Sequence, residues 1–132
     1  MDFEISKKVI AASKAGGALL TQTLTIDQTL SVIAKAQFVT AMRLHAIIFA
    51  ANMGTPSIGL SYDPKVNGTM ELFGQDCCVA VEEVSTEKLI SFAEDVLKNR
   101  AEISARLVKV GEKLSKKAVL TAKKAAELIK RM

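Results

Sequence analysis

The sequence predicts an α/β domain, with a parallel sheet of about four strands, helices on its faces and a long helix at the C-terminal end. Three observations carry that reading. Short apolar runs at 18–21, 37–41, 57–61 and 77–81 alternate with segments of helical period. The intervals between most of these runs are long enough for the crossover helices that parallel strands require. Glycine and proline punctuate the joins, at Gly16-Gly17, Gly54-Thr55-Pro56, Pro64 and Gly74.

Each element has its own local reason. Phe3, Ile5, Val9 and Ile10 recur at roughly helical spacing, so residues 2–15 read as an amphipathic helix ended by glycine. Residues 18–21 then supply a first short strand. Thr25 followed by Gln28 is a capping box, and Leu30, Ile33 and Ala34 form the inner face of the helix it opens. Residues 37–41 give a second strand. Residues 44–53 are apolar nearly all round, which predicts a helix buried between layers, with Met42, Phe49 and Met53 in the core. Gly54 ends that helix and Pro56 prevents its resumption. Residues 57–61 make a third strand, Pro64 opens a short helix to 72 or 73, and Gly74 stops it. A last strand at 77–81 and a helix at 86–97 complete an α/β unit of residues 1–98. Lysine becomes frequent after Asn99, and residues 99–132 read as a helical tail.

Composition narrows the function. The chain of 132 residues is 49% hydrophobic and 24% charged, which suits a single domain with a sizeable core and argues against disorder. Its formal charge of +4 is mild, aromatic residues make up only 5%, and no dense basic block is interleaved with aromatics, so nucleic acid is not the expected partner. Cys77 and Cys78 are adjacent, a spacing that seldom closes a disulfide and lacks the second pair of a zinc site. Two buried free thiols and a reducing, cytoplasmic compartment follow. The densest apolar run, 44–51, is far too short to span a bilayer.

The chemistry concentrates where two predicted strands end. In an open parallel sheet, ligands gather beyond the carboxyl ends of the strands. One strand delivers Arg43 and His45 there, and the next delivers Tyr62, Asp63 and Lys65. Amide N–H groups at the start of the 44–53 helix would face the same cleft, so the expected ligand is an anion. Arg43 and His45 point the same way only if Arg43 lies outside the helix, in extended backbone. Ordinary structural readings stand beside these. His45 could cap the helix or satisfy a core hydrogen bond, Arg43 could pair with a carboxylate, and Tyr62-Asp63-Pro64-Lys65 also reads as a turn.

The segments Arg43-Leu44-His45-Ala46-Ile47-Ile48-Phe49-Ala50-Ala51, Gly54-Thr55-Pro56 and Ile58-Gly59-Leu60-Ser61-Tyr62-Asp63-Pro64-Lys65-Val66, in this order and spacing, resemble the polysaccharide pyruvyl transferase family, in particular its CsaB-like bacterial members. The resemblance implies a glycosyltransferase type B (GT-B) fold of two Rossmann-like domains facing a cleft, of which this chain would supply most of the C-terminal one. A missing N-terminal domain would complete the cleft. The implied reaction moves pyruvate from phosphoenolpyruvate to two hydroxyls of a cell-wall or surface polysaccharide, or of a lipid-linked sugar, as a cyclic ketal. His45 would be the catalytic acid or base, while Arg43, Tyr62, Asp63 and Lys65 would bind substrate. Neither role calls for a metal or a further cofactor. Location would be cytoplasmic, at the inner face of the membrane.

Two other functions remain open at this level. A nucleotide-sugar glycosyltransferase of the same architecture would hold its donor in this domain. A non-catalytic oligomerising module would use the tail, where Ile103, Leu107, Val110 and Leu114 form one apolar stripe. That stripe either docks on the chain's own sheet or joins a second copy as a homodimer.

Overall fold

A computed structural model describes residues 2–130. Helix α1 spans Asp2–Ala12, and α2 spans Ile26–Lys35. Strand β1 (Val39–Ala41), helix α3 (Leu44–Asn52), strand β2 (Ser57–Ser61), helix α4 (Pro64–Leu72) and strand β3 (Cys78–Ala80) follow. A 3-10 turn at Val81–Glu83 leads to α5 (Thr86–Lys98) and α6 (Arg100–Lys130).

The sheet has three parallel strands in the order β1-β2-β3, with Ala41 opposite Gly59 and Gly59 opposite Cys78. The fourth expected strand, at 18–21, does not form. Ala18-Leu19-Leu20-Thr21 has only two large apolar side chains and no β-branched aliphatic, too little to fill both faces of a buried parallel strand. Leu20 is exposed accordingly. The first helix also stops three residues short of its expected end, at Ala12, with Gly16 in the left-handed region (φ +77°).

Two packed layers flank the sheet. On one face, Ala41 of β1 packs with Ile47 of α3 and with Val66 and Met70 of α4. On the other, Ile58 of β2 packs with Val96 of α5 and with Ile103 and Leu107 of α6. Val110 and Leu114 extend that contact, so all four residues of the tail stripe dock on the chain's own sheet side. Gly59 sets the spacing on the α4 side. A Cβ there would lie 2.9 Å from Cys78 Sγ and 3.1 Å from Met70 Cγ, so a side chain here would force Cys78 and Met70 to give way.

Three expected core residues lie outside the core. Met42, Phe49 and Met53 are exposed, and α3 buries only Ile47, Ala50 and Ala51. The helix packs on the sheet along one stripe, and small alanines occupy the contact, which leaves the larger side chains outward. The thiols divide similarly. Both cysteines are free, but only Cys77 is buried and Cys78 is half-buried. No described helix is long and apolar enough to cross a membrane.

Polar side chains close the amino-terminal edge of the sheet. Arg100 Nε donates to the Gln37 carbonyl (3.1 Å), just before β1, and Ser104 Oγ donates to the Gly54 carbonyl (2.6 Å), before β2. The Ser57 amide at the start of β2 donates to Gln75 Oε1 (2.7 Å), and Thr55 Oγ1 donates to the Ile33 carbonyl (3.0 Å). Helix α6 thus ties down the end of the sheet opposite the candidate site.

Two stability measurements test this packing. Gly59→Ala should cost about 1–3 kcal/mol in equilibrium urea unfolding, the usual range for overpacking. Gly68→Ala, inside α4 where a Cβ meets nothing within 4 Å, should instead stabilise by up to about 1 kcal/mol. Equal effects at the two positions would contradict the close approach at Gly59. Burial, reinforced by the Asp95 carboxylate to which the thiol donates (3.8 Å), pushes the Cys77 thiol up from 9.0 to about 11. Thiols of the unfolded chain therefore lose their protons first, so this contribution is complete below pH 9 and is lost as pH rises toward 11. The urea midpoint should fall over that window in the native sequence and fall less in Cys77→Ala.

Candidate functional site at the carboxyl edge of the sheet

Parallel pairing sends β1 and β2 out through the same edge, and the Ala41–Gly59 register brings their exits side by side. The two exits are built differently. After β2, the Ser61 hydroxyl donates to the Asp63 carbonyl (3.2 Å), and Asp63 takes the N-cap of α4 in extended backbone (φ −146°, ψ 139°). Its Oδ1 accepts the Lys65 amide (2.8 Å), and Pro64 occupies the first helical turn, where the missing N–H costs nothing. This helix start is satisfied by its own sequence.

After β1 the chain does the opposite. Arg43 is the N-cap of α3, with φ −83° and ψ 126°, and its side chain makes no capping hydrogen bond. Its carbonyl accepts the amides of Ala46 (3.0 Å) and Ile47 (3.4 Å), which closes the first turn. No acidic residue lies in that turn. By contrast, Thr25, Asp63 and Ser85 each cap their helices through a side-chain oxygen. The first turn of α3 therefore carries the positive end of a helix dipole with no carboxylate from its own first turn to offset it.

The side chains follow from this geometry. Arg43 lies outside the helix in extended backbone, as the anion reading requires, and it is exposed. His45, in the first turn of α3, is exposed as well, its ring tilted 50° to Phe49 with centroids 6.4 Å apart. The histidine is not sealed in the core. Tyr62 is 63% exposed and Lys65 is exposed at the same edge. The Asp63 carboxylate already serves α4, so its first role is structural.

The sequence reading passed over the third exit. Strand β3 leads into the 3-10 turn Val81–Glu83, which places Glu82 and Glu83 at this edge, and Glu83 pairs with Lys88 (3.6 Å). The only signal was a pair of adjacent carboxylates after a short apolar run. Basic side chains thus stand near the exit of β1 and acidic ones near that of β3. Among the described residues, no group of three or more His, Cys, Asp or Glu is arranged to hold a metal.

Residues 2–64 match the model of the polysaccharide pyruvyl transferase family. This is the family that the Arg43–Val66 pattern resembles. The matched segment is just under half of the chain; it contains Arg43, His45, Tyr62 and Asp63 and stops one residue before Lys65. No curated protein and no solved structure matches the chain. Within the matched segment lie the exit of β1 and the first residues after β2, up to Pro64.

The double role of Asp63 can be separated by substitution. Asp63→Ala should lose the cap and cost about 1 kcal/mol in urea unfolding, while Asp63→Asn, which still accepts the Lys65 amide, should stay within about 0.5 kcal/mol of the parent. Equal losses in the two variants would show that the charge, and not the cap, is what α4 needs.

Proposed function

We propose that the chain acts in transfer of pyruvate from phosphoenolpyruvate to a polysaccharide or lipid-linked sugar, forming a cyclic ketal. One observation carries the reading. The start of α3 is open to an anion, with Arg43 extended beside it and His45 in its first turn, within the segment that matches the family.

In this reading the donor's carboxylate or phosphate meets the Leu44 and His45 amides of the first turn, and Arg43 holds it with a planar, two-pronged guanidinium. Lys65 adds a point charge and Tyr62 a hydroxyl from the neighbouring exit. His45 supplies a proton to the methylene carbon, which becomes a methyl group and leaves positive charge on the adjacent carbon. A sugar hydroxyl attacks that carbon and gives up its proton. Phosphate then leaves with the C–O bonding pair, and a second hydroxyl closes the ketal, releasing another proton. The acceptor would be held from across a cleft by a further α/β domain of the GT-B kind, at the inner face of the membrane when it is lipid-linked.

Titration calorimetry on the full chain tests the donor. Phosphoenolpyruvate should bind in preference to UDP- and GDP-sugars, and Arg43→Lys should weaken it about tenfold, roughly 1.4 kcal/mol. His45→Ala should abolish ketal formation in the active assembly. A clear preference for a sugar nucleotide, or an unchanged affinity in Arg43→Lys, would overturn the reading.

A further inference from the structure

We propose that the outward face of α6 is a docking strip for an acidic, carboxylate-bearing polysaccharide chain. At 3.6 residues per turn, every lysine from Lys109 to Lys130 falls within about 140° of the helix circumference. The opposite half, from Val110 through Leu114, Ala118, Ala125 and Ile129, carries no charge. The apolar stripe is the side by which α6 docks, since Ile103 and Leu107 are buried in the core. The lysine face therefore points away from the domain.

This face is accessible and its charge is not neutralised from within. Every residue from 115 to 130 is exposed. Only Glu112 and Glu127 share the strip, and among the described residues no ion pair joins one of its lysines to a carboxylate. The result is a straight basic track about 30 Å long, from the rise of about 1.5 Å per residue.

Charge complementarity and shape select the occupant. Lysines are compact point charges on flexible stems and tolerate variable register, which suits a linear polyanion better than one small ligand. A bilayer fits less well, because the lysine face carries only Leu120 and no aromatic anchor. The choice of a carboxylated sugar polymer rests on the proposed function, whose ketal product bears a carboxylate on each modified sugar. A basic track would keep the growing acidic chain on the protein.

The test uses affinity electrophoresis of the full chain through gels containing polygalacturonate. Retardation should occur at about 0.05 M salt, fall about tenfold at about 0.5 M, and be absent with neutral dextran. A variant with Lys113, Lys116, Lys117, Lys123 and Lys124 each replaced by Gln should lose at least about tenfold in affinity while keeping its helicity by circular dichroism. Its phosphoenolpyruvate affinity should not change, so failure of the strip and failure of the donor site are read separately. No retardation, retardation undiminished in the variant, or tighter binding to anionic phosphatidylglycerol vesicles or duplex DNA at the same salt would overturn the proposal.

Discussion

Parallel pairing of β1 with β2 is the constraint from which the candidate site follows. Neighbouring parallel strands cannot be joined by a tight turn, so each must leave through the same edge and enter a crossover helix. Both crossovers, α3 and α4, pack on one face of the sheet, and their N-termini are thereby brought to one edge. Gly59 permits this arrangement by letting α4 lie against β2 without a side chain between them. The amino-terminal edge is meanwhile held by Arg100, Ser104 and Gln75. One end of the sheet is fastened, and the other carries Arg43, His45, Tyr62 and Lys65 exposed.

At the open edge, two adjacent helix starts are resolved in different ways. Asp63 closes α4 with its own carboxylate, which leaves little for a ligand to do there. Arg43 brings a cation to the start of α3, where a carboxylate or hydroxyl would ordinarily stand, and so adds to the field of the dipole instead of offsetting it. This local departure from the usual N-cap chemistry sets the start of α3 apart from those of α2, α4 and α5.

Much of this was legible in the residues because the signals were local. The Thr25–Gln28 capping box forms with both of its hydrogen bonds, and Pro64 opens α4 where its φ suits the first turn. The extended backbone at Arg43 followed from its place between an apolar run and a helical one. What failed depended on tertiary contacts. Residues 18–21 have strand-like composition but no adequate partner face, and the apolar surface of α3 exceeds what its neighbours cover, so Met42, Phe49 and Met53 face out. Cys78 sits beside Gly59 at β3, a half-covered position that spacing alone could not give. The tail stripe was visible as periodicity, but where it stops docking, beyond Leu114, is set by the size of the domain beneath it.

The central claim is that an anionic donor seats on the first turn of α3. Amide-detected NMR titration with phosphoenolpyruvate reads this directly. The largest shift changes should fall on the backbone amides of Leu44 and His45, with smaller ones at Tyr62 and Lys65. Changes confined to the α6 lysines, or none at the start of α3 at saturation, would contradict it.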